Sequence, residues 1–422
     1  MSTYYVSNDG LDTNDGLTPE TAWATITKVN SEIKSGDEIR FRRGDTFYGK
    51  VEPVAGVSPE QPTIYRDYGE GEKKPFISQI KTIKKGVWEK VSENVWRVDL
   101  YNTDNYTGNI TELNKNIGFM KIDGKIFFEK RFSLDSLENQ WEFYCDDDNA
   151  ETPYAYIYSE KCPDQMAETI QAACDIHTFS LRDNLHIINI ATGETGGFGA
   201  SYRSDGAHII NCDFHQIGGS RLVGFPSPGC RYGNGVEIFP ESKNVIVEGC
   251  NFSEIYDVAM TMQGDVRENG WENVHFRNNK VWNCSQAFEI WMQGGKAGMK
   301  NCSFTGNICI YSGYGWGCDA RPNKTQAAQL LIYHLDCPVL DVDVSGNYIY
   351  DAPYSCIFKS GGPQEMPEGY KIHDNTFVRK KGQPLVLPYP DTTPEDQKAF
   401  EEKIAKNNYI MDIPQCNYTG KE

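Results

Sequence analysis

One pattern recurs six times between residues 184 and 390 and constrains the fold more than any other feature. It is an apolar-alternating strand, a small or amide residue, and a second short strand: "AHIINCDF", "NVIVEGCNF", "NVHFRNNKV", "NCSFTGNIC", "VDVSGNYIY" and "YKIHDNTFV". Anchoring each on the residue before the second strand gives Cys212, Cys250, Asn279, Asn307, Asn347 and Asn375, with steps of 38, 29, 28, 40 and 28 residues. The unit is therefore about 28 residues long, and two units carry insertions. A unit of two or three strands with no helical period cannot close its own core, so successive units must stack and pair in parallel. Asn at the anchors suits a turn that tolerates the left-handed region, and its amide can bond to the equivalent Asn one coil away. Leucine-rich repeats need a regular Leu spacing, and propellers need tight-turned antiparallel hairpins. The repeat has neither, and predicts an all-β parallel β-helix.

The flanks differ from the coils. "YYVSNDGLDTNDGLTPETAWATITKVNSEI" reads as a strand, a polar loop and a short helix with Thr18 as N-cap and Pro19 in its first turn. Ala22, Ile26 and Val29 share its apolar face, as expected of a helix that covers the open end of a solenoid. "ENVWRVDL", "IGFMKIDGKIFFEKRF" and "AYIYSE" read as hairpin strands of a β-rich insertion, with "IDGK" as a turn. "TTPEDQKAFEEKIAKNNYI" predicts a helix capped by Thr393, with Pro394 in its first turn and an Asn-Asn stop. The expected organisation is one structural domain: cap and first coils over 1–64, early coils with the insertion over 65–183, main coils over 184–390, and helix and tail over 391–422.

The opening segment, with "GDEIRFRRGDTFYG", resembles the N-terminal signature of bacterial right-handed parallel β-helix proteins of the pectate-lyase-like superfamily. "WEFYCDDDNAETPYAYIY" is similar to the β insertion of its glycoside-hydrolase branch, and "HIINCDF" and "SGNYIYDAP" resemble its coil consensus. The resemblance covers most of the chain. It implies a right-handed β-helix and a carbohydrate substrate. It supplies no site residue, because this superfold hosts hydrolases, lyases, epimerases and depolymerases alike.

Charge narrows the partners. The formal net charge of -18 disfavours nucleic acid and anionic membrane surfaces, which call for basic faces. No apolar run is long enough to span a bilayer, and "MSTYYVSNDG" lacks the basic and apolar regions of a signal peptide. Thirteen scattered Cys with no metal-ligand spacing read as reduced thiols. The expectation is a cytoplasmic protein acting on imported oligosaccharides, with exo-action the natural mode. Oligomeric state does not follow.

The chemistry points to the central coils. "GNGVEIF", "DVAMTMQGD" and "AFEIWMQGG" align on the shared "MQG" of the last two. That alignment places Glu237, Ala259 and Glu289 in one outward column and Phe239, Thr261 and Trp291 in the next. Two coils separate the glutamates, roughly 9.6 Å at the backbone. Inverting glycosidases hold their carboxyls about 6.5–9.5 Å apart. Asp319, in "SGYGWGCDARPNK", lies near the same face. One coil from Glu289, it would give about 5 Å, the retaining geometry. Asp257, at the turn before Ala259, is a further catalytic candidate. Trp291, Trp316 and Phe239 offer apolar faces to a sugar. Gln263 and Gln293 offer amides, and Arg321, His334 and Lys359 could bind a uronate. The insertions "GGSRLVGFPSPGCRYGNG" and "ARPNKTQAAQLLIYHLD" bracket these coils, as cleft-lining loops do.

These residues predict a glycoside hydrolase that uses paired carboxylates and no cofactor. A polysaccharide lyase is the alternative, with calcium on Glu237, Glu289 and Asp319 and with Arg321 or Lys359 as base. A non-catalytic carbohydrate-binding β-helix is the third reading.

Overall fold

The computed structural model describes residues 1–108, 114–147, 152–224, 229–265, 269–293, 298–320, 327–335, 340–360, 368–388, 393–415 and 418–419. Three long parallel sheets run the length of the chain, two of ten strands and one of eight. The first runs from Thr3–Val6 to Tyr370–His373, the second from Thr46–Tyr48 to Tyr409–Ile413, and the third from Phe179–Ser180 to Val386–Pro388. From Leu185 onward each coil gives one strand to each sheet, which makes the fold a parallel β-helix. Alternation sends one residue in two inward. Ile209, Val247, Phe276, Phe304 and Val344 of the first sheet meet Val236, Met260, Phe288 and Leu330 of the third in a single core.

The anchor asparagines form a buried ladder between the first and second sheets. Asn279 Nδ2 donates to Asn307 Oδ1 at 3.0 Å, Asn307 to Asn347 at 3.0 Å, Asn347 to Asn375 at 2.8 Å, and Asn375 to Asn408 at 2.9 Å. Each side-chain oxygen also accepts the backbone N–H of the preceding rung, as Asn307 Oδ1 does from Asn279 N. The left-handed residue of this turn is not the anchor but the one before it: Asn211, Gly249, Asn278, Gly306, Gly346 and Asp374, with φ between 52° and 66°. The anchor stays extended and is free to point its amide inward.

Both ends are closed, with one shift from expectation. At the N-terminus Thr18 caps only a 3-10 turn, Pro19–Thr21. The α-helix is Ile26–Glu32, capped by Thr25, whose Oγ1 accepts from Lys28 N at 3.1 Å. Trp23 sits between the two turns, 2% exposed, and interrupts a continuous helix. Ala22, Ile26 and Val29 are buried as expected. At the C-terminus Pro394–Ala405 is a helix with Thr393 as cap, and Phe400 and Ile404 join the main core. The chain then returns as a last strand, Tyr409–Ile413, on the second sheet.

The insertion forms two antiparallel sheets, one of five strands and one of four, between the second-sheet strand Phe76–Ser78 and the third-sheet strand Phe179–Ser180. It has its own core around Trp88, Leu100, Met120, Phe143 and Ile157. The "IDGK" turn carries Asp123 and Gly124 at φ 49° and 81°, the geometry of a tight hairpin. The chain leaves the coils after Ile217 and again after Ile310 at the same corner, between the second and third sheets. Insertion and loops therefore build one wall beside the third sheet. Arg231, 6% exposed, ties the wall together: its guanidinium donates to Gly219 O and Gly118 O at 2.6 Å and to Phe128 O at 3.1 Å.

Candidate active site on the third sheet

Strand pairing fixes which residues share the outward face of the third sheet. Ser201 pairs with Glu237, Glu237 with Thr261, Thr261 with Glu289, Glu289 with Leu331 and Leu331 with Phe358. The residue between the glutamates is thus Thr261 and not Ala259, which is buried in the main core. The "MQG" match misaligns the strands by two residues, and a two-residue shift keeps every side chain on its face. The glutamates remain two strands apart in one column. A second column holds Gln263, Trp291 and Tyr333, in register, all half-buried.

The glutamates lie deep. Glu237 is 5% exposed, Glu289 8% and Thr261 0%. The Thr261 hydroxyl makes no hydrogen bond and is the one polar side chain between them in the column. Asn234 holds Glu237 in place: its Nδ2 donates to Glu237 Oε2 at 2.6 Å while its Oδ1 accepts from Val258 N at 2.9 Å. Burial pushes the Glu237 carboxyl up to about 7. Hydrogen bonds from Asn234 and Gln263 oppose the shift, and the nearby charge of Asp257 adds to it. Glu237 is therefore largely protonated below neutrality, as a proton donor must be.

The other candidates fall in different places. Asp257 is half-buried at the head of the strand Val258–Asp265, with its backbone N–H on Gly233 O. Phe239 is half-buried beyond Glu237. Asp319 is exposed on a short helix, Trp316–Ala320, in the corner loop. Trp316 is not a sugar platform. It is 6% exposed, its Nε1 donates to Glu254 O at 3.0 Å, and its ring packs on Phe119, Phe128 and Tyr256, joining the insertion to the coils. Lys359 is in register with Ile332, an inward position, and is 9% exposed. Burial lowers the pKa of its ammonium. His334 and Gln293 lie in the strands Leu330–Leu335 and Gln286–Gln293, and their side chains, like all of Arg321, lie outside the described residues.

The structure adds residues that sequence reading passes over. Asn234 sits in "GNG", which reads as a turn. Tyr232 and Asp175 come from the wall, with Tyr232 Oη donating to Asp175 Oδ1 at 2.6 Å. His177 Nδ1 is hydrogen-bonded to Ser201 Oγ at 3.0 Å. None lies in the six repeated strand pairs, so periodicity gives no signal for them.

No protein-family model and no curated protein matches the chain. Several solved structures are similar to the chain at low identity. The complex of XylC with xylose matches at 13% identity and a TM-score of 0.48, covering 97% of this chain and 82% of that one. GH136 lacto-N-biosidase from Eubacterium ramulus matches at 14% and 0.48, covering 98% and 68%. A rhamnogalacturonan lyase matches at 11% and 0.44, covering 99% and 90%.

Proposed function

We propose that this protein is a carbohydrate-active enzyme, and specifically a glycoside hydrolase whose general acid is Glu237 and whose second carboxylate is Glu289. The observation that carries the reading is the shared outward column. It holds two buried carboxyls two strands apart, with an unbonded hydroxyl between them. Two strands correspond to roughly 9.6 Å at the backbone, and side-chain leaning brings that into the inverting range of about 6.5–9.5 Å. Glu237 would protonate the leaving oxygen, and ionised Glu289 would take a proton from a water on the opposite face of the sugar. Trp291 and Tyr333, with ring centroids 6.4 Å apart, would line the floor under the neighbouring sugar.

The test is a panel of oligosaccharides followed for new reducing ends and for absorbance at 235 nm. The expected result is reducing ends without absorbance, with turnover falling by about 10²–10⁴-fold in Glu237→Gln and in Glu289→Gln. Wild-type turnover in either variant would remove that residue from the mechanism.

A lyase is the second reading, and the inward position of Lys359, in register with Ile332, takes that candidate base off the face that carries the glutamates. Absorbance rising with cleavage, and lost on chelation of calcium, would establish this reading and make the glutamates cation ligands.

A further inference from the structure

Next to Glu237, on the side of the N-terminal coils, five rings form a continuous belt. Tyr232 meets Phe198 with centroids 5.1 Å apart, Phe198 meets His177 at 4.6 Å, His177 meets Tyr202 at 5.6 Å, and Tyr202 meets Phe239 at 5.5 Å. The belt flanks Ser201, which pairs with Glu237 in the outward column. Two of its members are fixed by their polar tips, His177 through Ser201 and Tyr232 through Asp175. Tyr202 is the outlier. It is 38% exposed and its backbone is held at φ 102°, a conformation that costs a bulky L-residue of order 1–3 kcal/mol and concentrates at ligand sites. Nothing in the core is gained by presenting this ring to solvent, and a parallel strand would carry it more cheaply with ordinary extended angles.

We infer that this belt is a saccharide subsite for an uncharged sugar ring, placed on the N-terminal side of the scissile bond. The inference rests on the hydrolase reading for the position of that bond. Ring faces supply apolar area to the C–H side of a sugar, and the fixed phenol and imidazole at the rim supply hydrogen bonds to its hydroxyls. The bias against an anionic ring comes from charge. Asp175 borders the belt, held by Tyr232, and Lys50, the cation whose charge reaches His177, pairs with Glu52 at 3.6 Å. His177 itself stays neutral, since burial, reinforced by Lys50, lowers its pKa to about 4. A carboxylated sugar would meet Asp175 and no imidazolium.

The experiment is binding to the full chain by saturation-transfer NMR and by intrinsic fluorescence. The probes are xylotriose, cellotriose, lacto-N-tetraose and trigalacturonate at up to millimolar concentration. Four chains are compared: wild type, Glu289→Gln, Tyr202→Ala and His177→Ala. The Tyr202 ring is exposed, so its removal leaves the fold intact, and thermal melts confirm this for both variants. The expected result is that at least one neutral probe binds, that trigalacturonate binds at least tenfold more weakly, and that Tyr202→Ala and His177→Ala each weaken the neutral probe by tenfold or more. Equal binding by wild type and both variants, preference for trigalacturonate, or no binding of any probe overturns the subsite. The two readings fail separately. Sugar binding that depends on Tyr202, without reducing-end release, removes the hydrolase and keeps the subsite. Reducing-end release indifferent to Tyr202 and His177 removes the subsite and keeps the hydrolase.

Discussion

Glu237 shows what a buried carboxyl costs the fold that holds it. Its pKa in the folded chain is about 7, above the ordinary carboxylate range near 4.5. A group raised in this way contributes its full stability below the unfolded value, and that contribution is lost as pH rises through the folded value. Between pH 4.5 and 7 the native state therefore holds more protons than the unfolded chain, and stability falls with rising pH. Glu237→Gln keeps the amide-sized side chain and removes the charge. It should raise stability at pH 8 by about 3 kcal/mol, and give no gain below about pH 4. Urea unfolding of both chains at the two pH values checks this, and equal stability at pH 8 would refute the buried ionised carboxylate. The glutamates were legible in the sequence because each stands among alternating apolar residues beside an aromatic. Thr261 was read one column away because the matched tripeptide shifted the register; Asn234 and the Asp175–Tyr232 pair were not legible. Their roles depend on loops that close over the column, and a period of 28 residues says nothing about where a loop returns.

Elements obey the repeat more closely than residues do. The ladder asparagines were legible as anchors because each rung occupies one position per coil. Their left-handed partner one residue earlier was misassigned, because both positions accept Asn. Asn408 escaped notice because it follows a helix and not a first-sheet strand. The third-sheet register was off by two residues, since a matched tripeptide weighs less in folding than the buried pairs Met260–Phe288 and Met262–Ile290. The ladder itself makes a graded prediction. Asn307 is fully buried. Its Oδ1 accepts from Asn279 N and Nδ2, and its Nδ2 donates to Phe276 O and Asn347 Oδ1. Asn307→Ala strands these buried partners, at about 1–3 kcal/mol for each unsatisfied group, so a loss of several kcal/mol is expected. Asn408, at the half-buried end, can recover part of its bonding from water, and Asn408→Ala should cost less than half as much. Thermal melts of the two variants measure the ratio. Equal losses would mean that the ladder does not act through buried polar satisfaction.

At the scale of the whole molecule, the insertion and both long loops leave the helix at one corner. The wall they build is what buries an outward column that would otherwise be solvated. The main coils could fold without the wall, because their core faces inward and the Asn ladder lies on another corner. Arg231 is one of the ties that hold the wall, beside Trp316 and the Asn116–Arg221 bonds, and its three carbonyl partners come from two different segments, Gly219 of a coil loop and Gly118 and Phe128 of the insertion. Arg231→Met keeps the volume and removes the donors. With about 1–3 kcal/mol for each carbonyl left unsatisfied in a buried site, the docked state should lose on the order of 3 kcal/mol. Opening of the insertion should then be about 100-fold more frequent. Native-state hydrogen exchange should show faster exchange across the strands Ile80–Ile83, Ile117–Ile122 and Ile170–Cys174, with the first-sheet strands Trp271–Arg277 and Met299–Thr305 unchanged. Turnover should fall as well, because Tyr232 is the next residue and Glu237 would regain water. Faster exchange in all five strands by one common factor would mean that wall and β-helix unfold as a single unit. The buried glutamates would then owe their environment to the fold as a whole and not to a wall docked onto it.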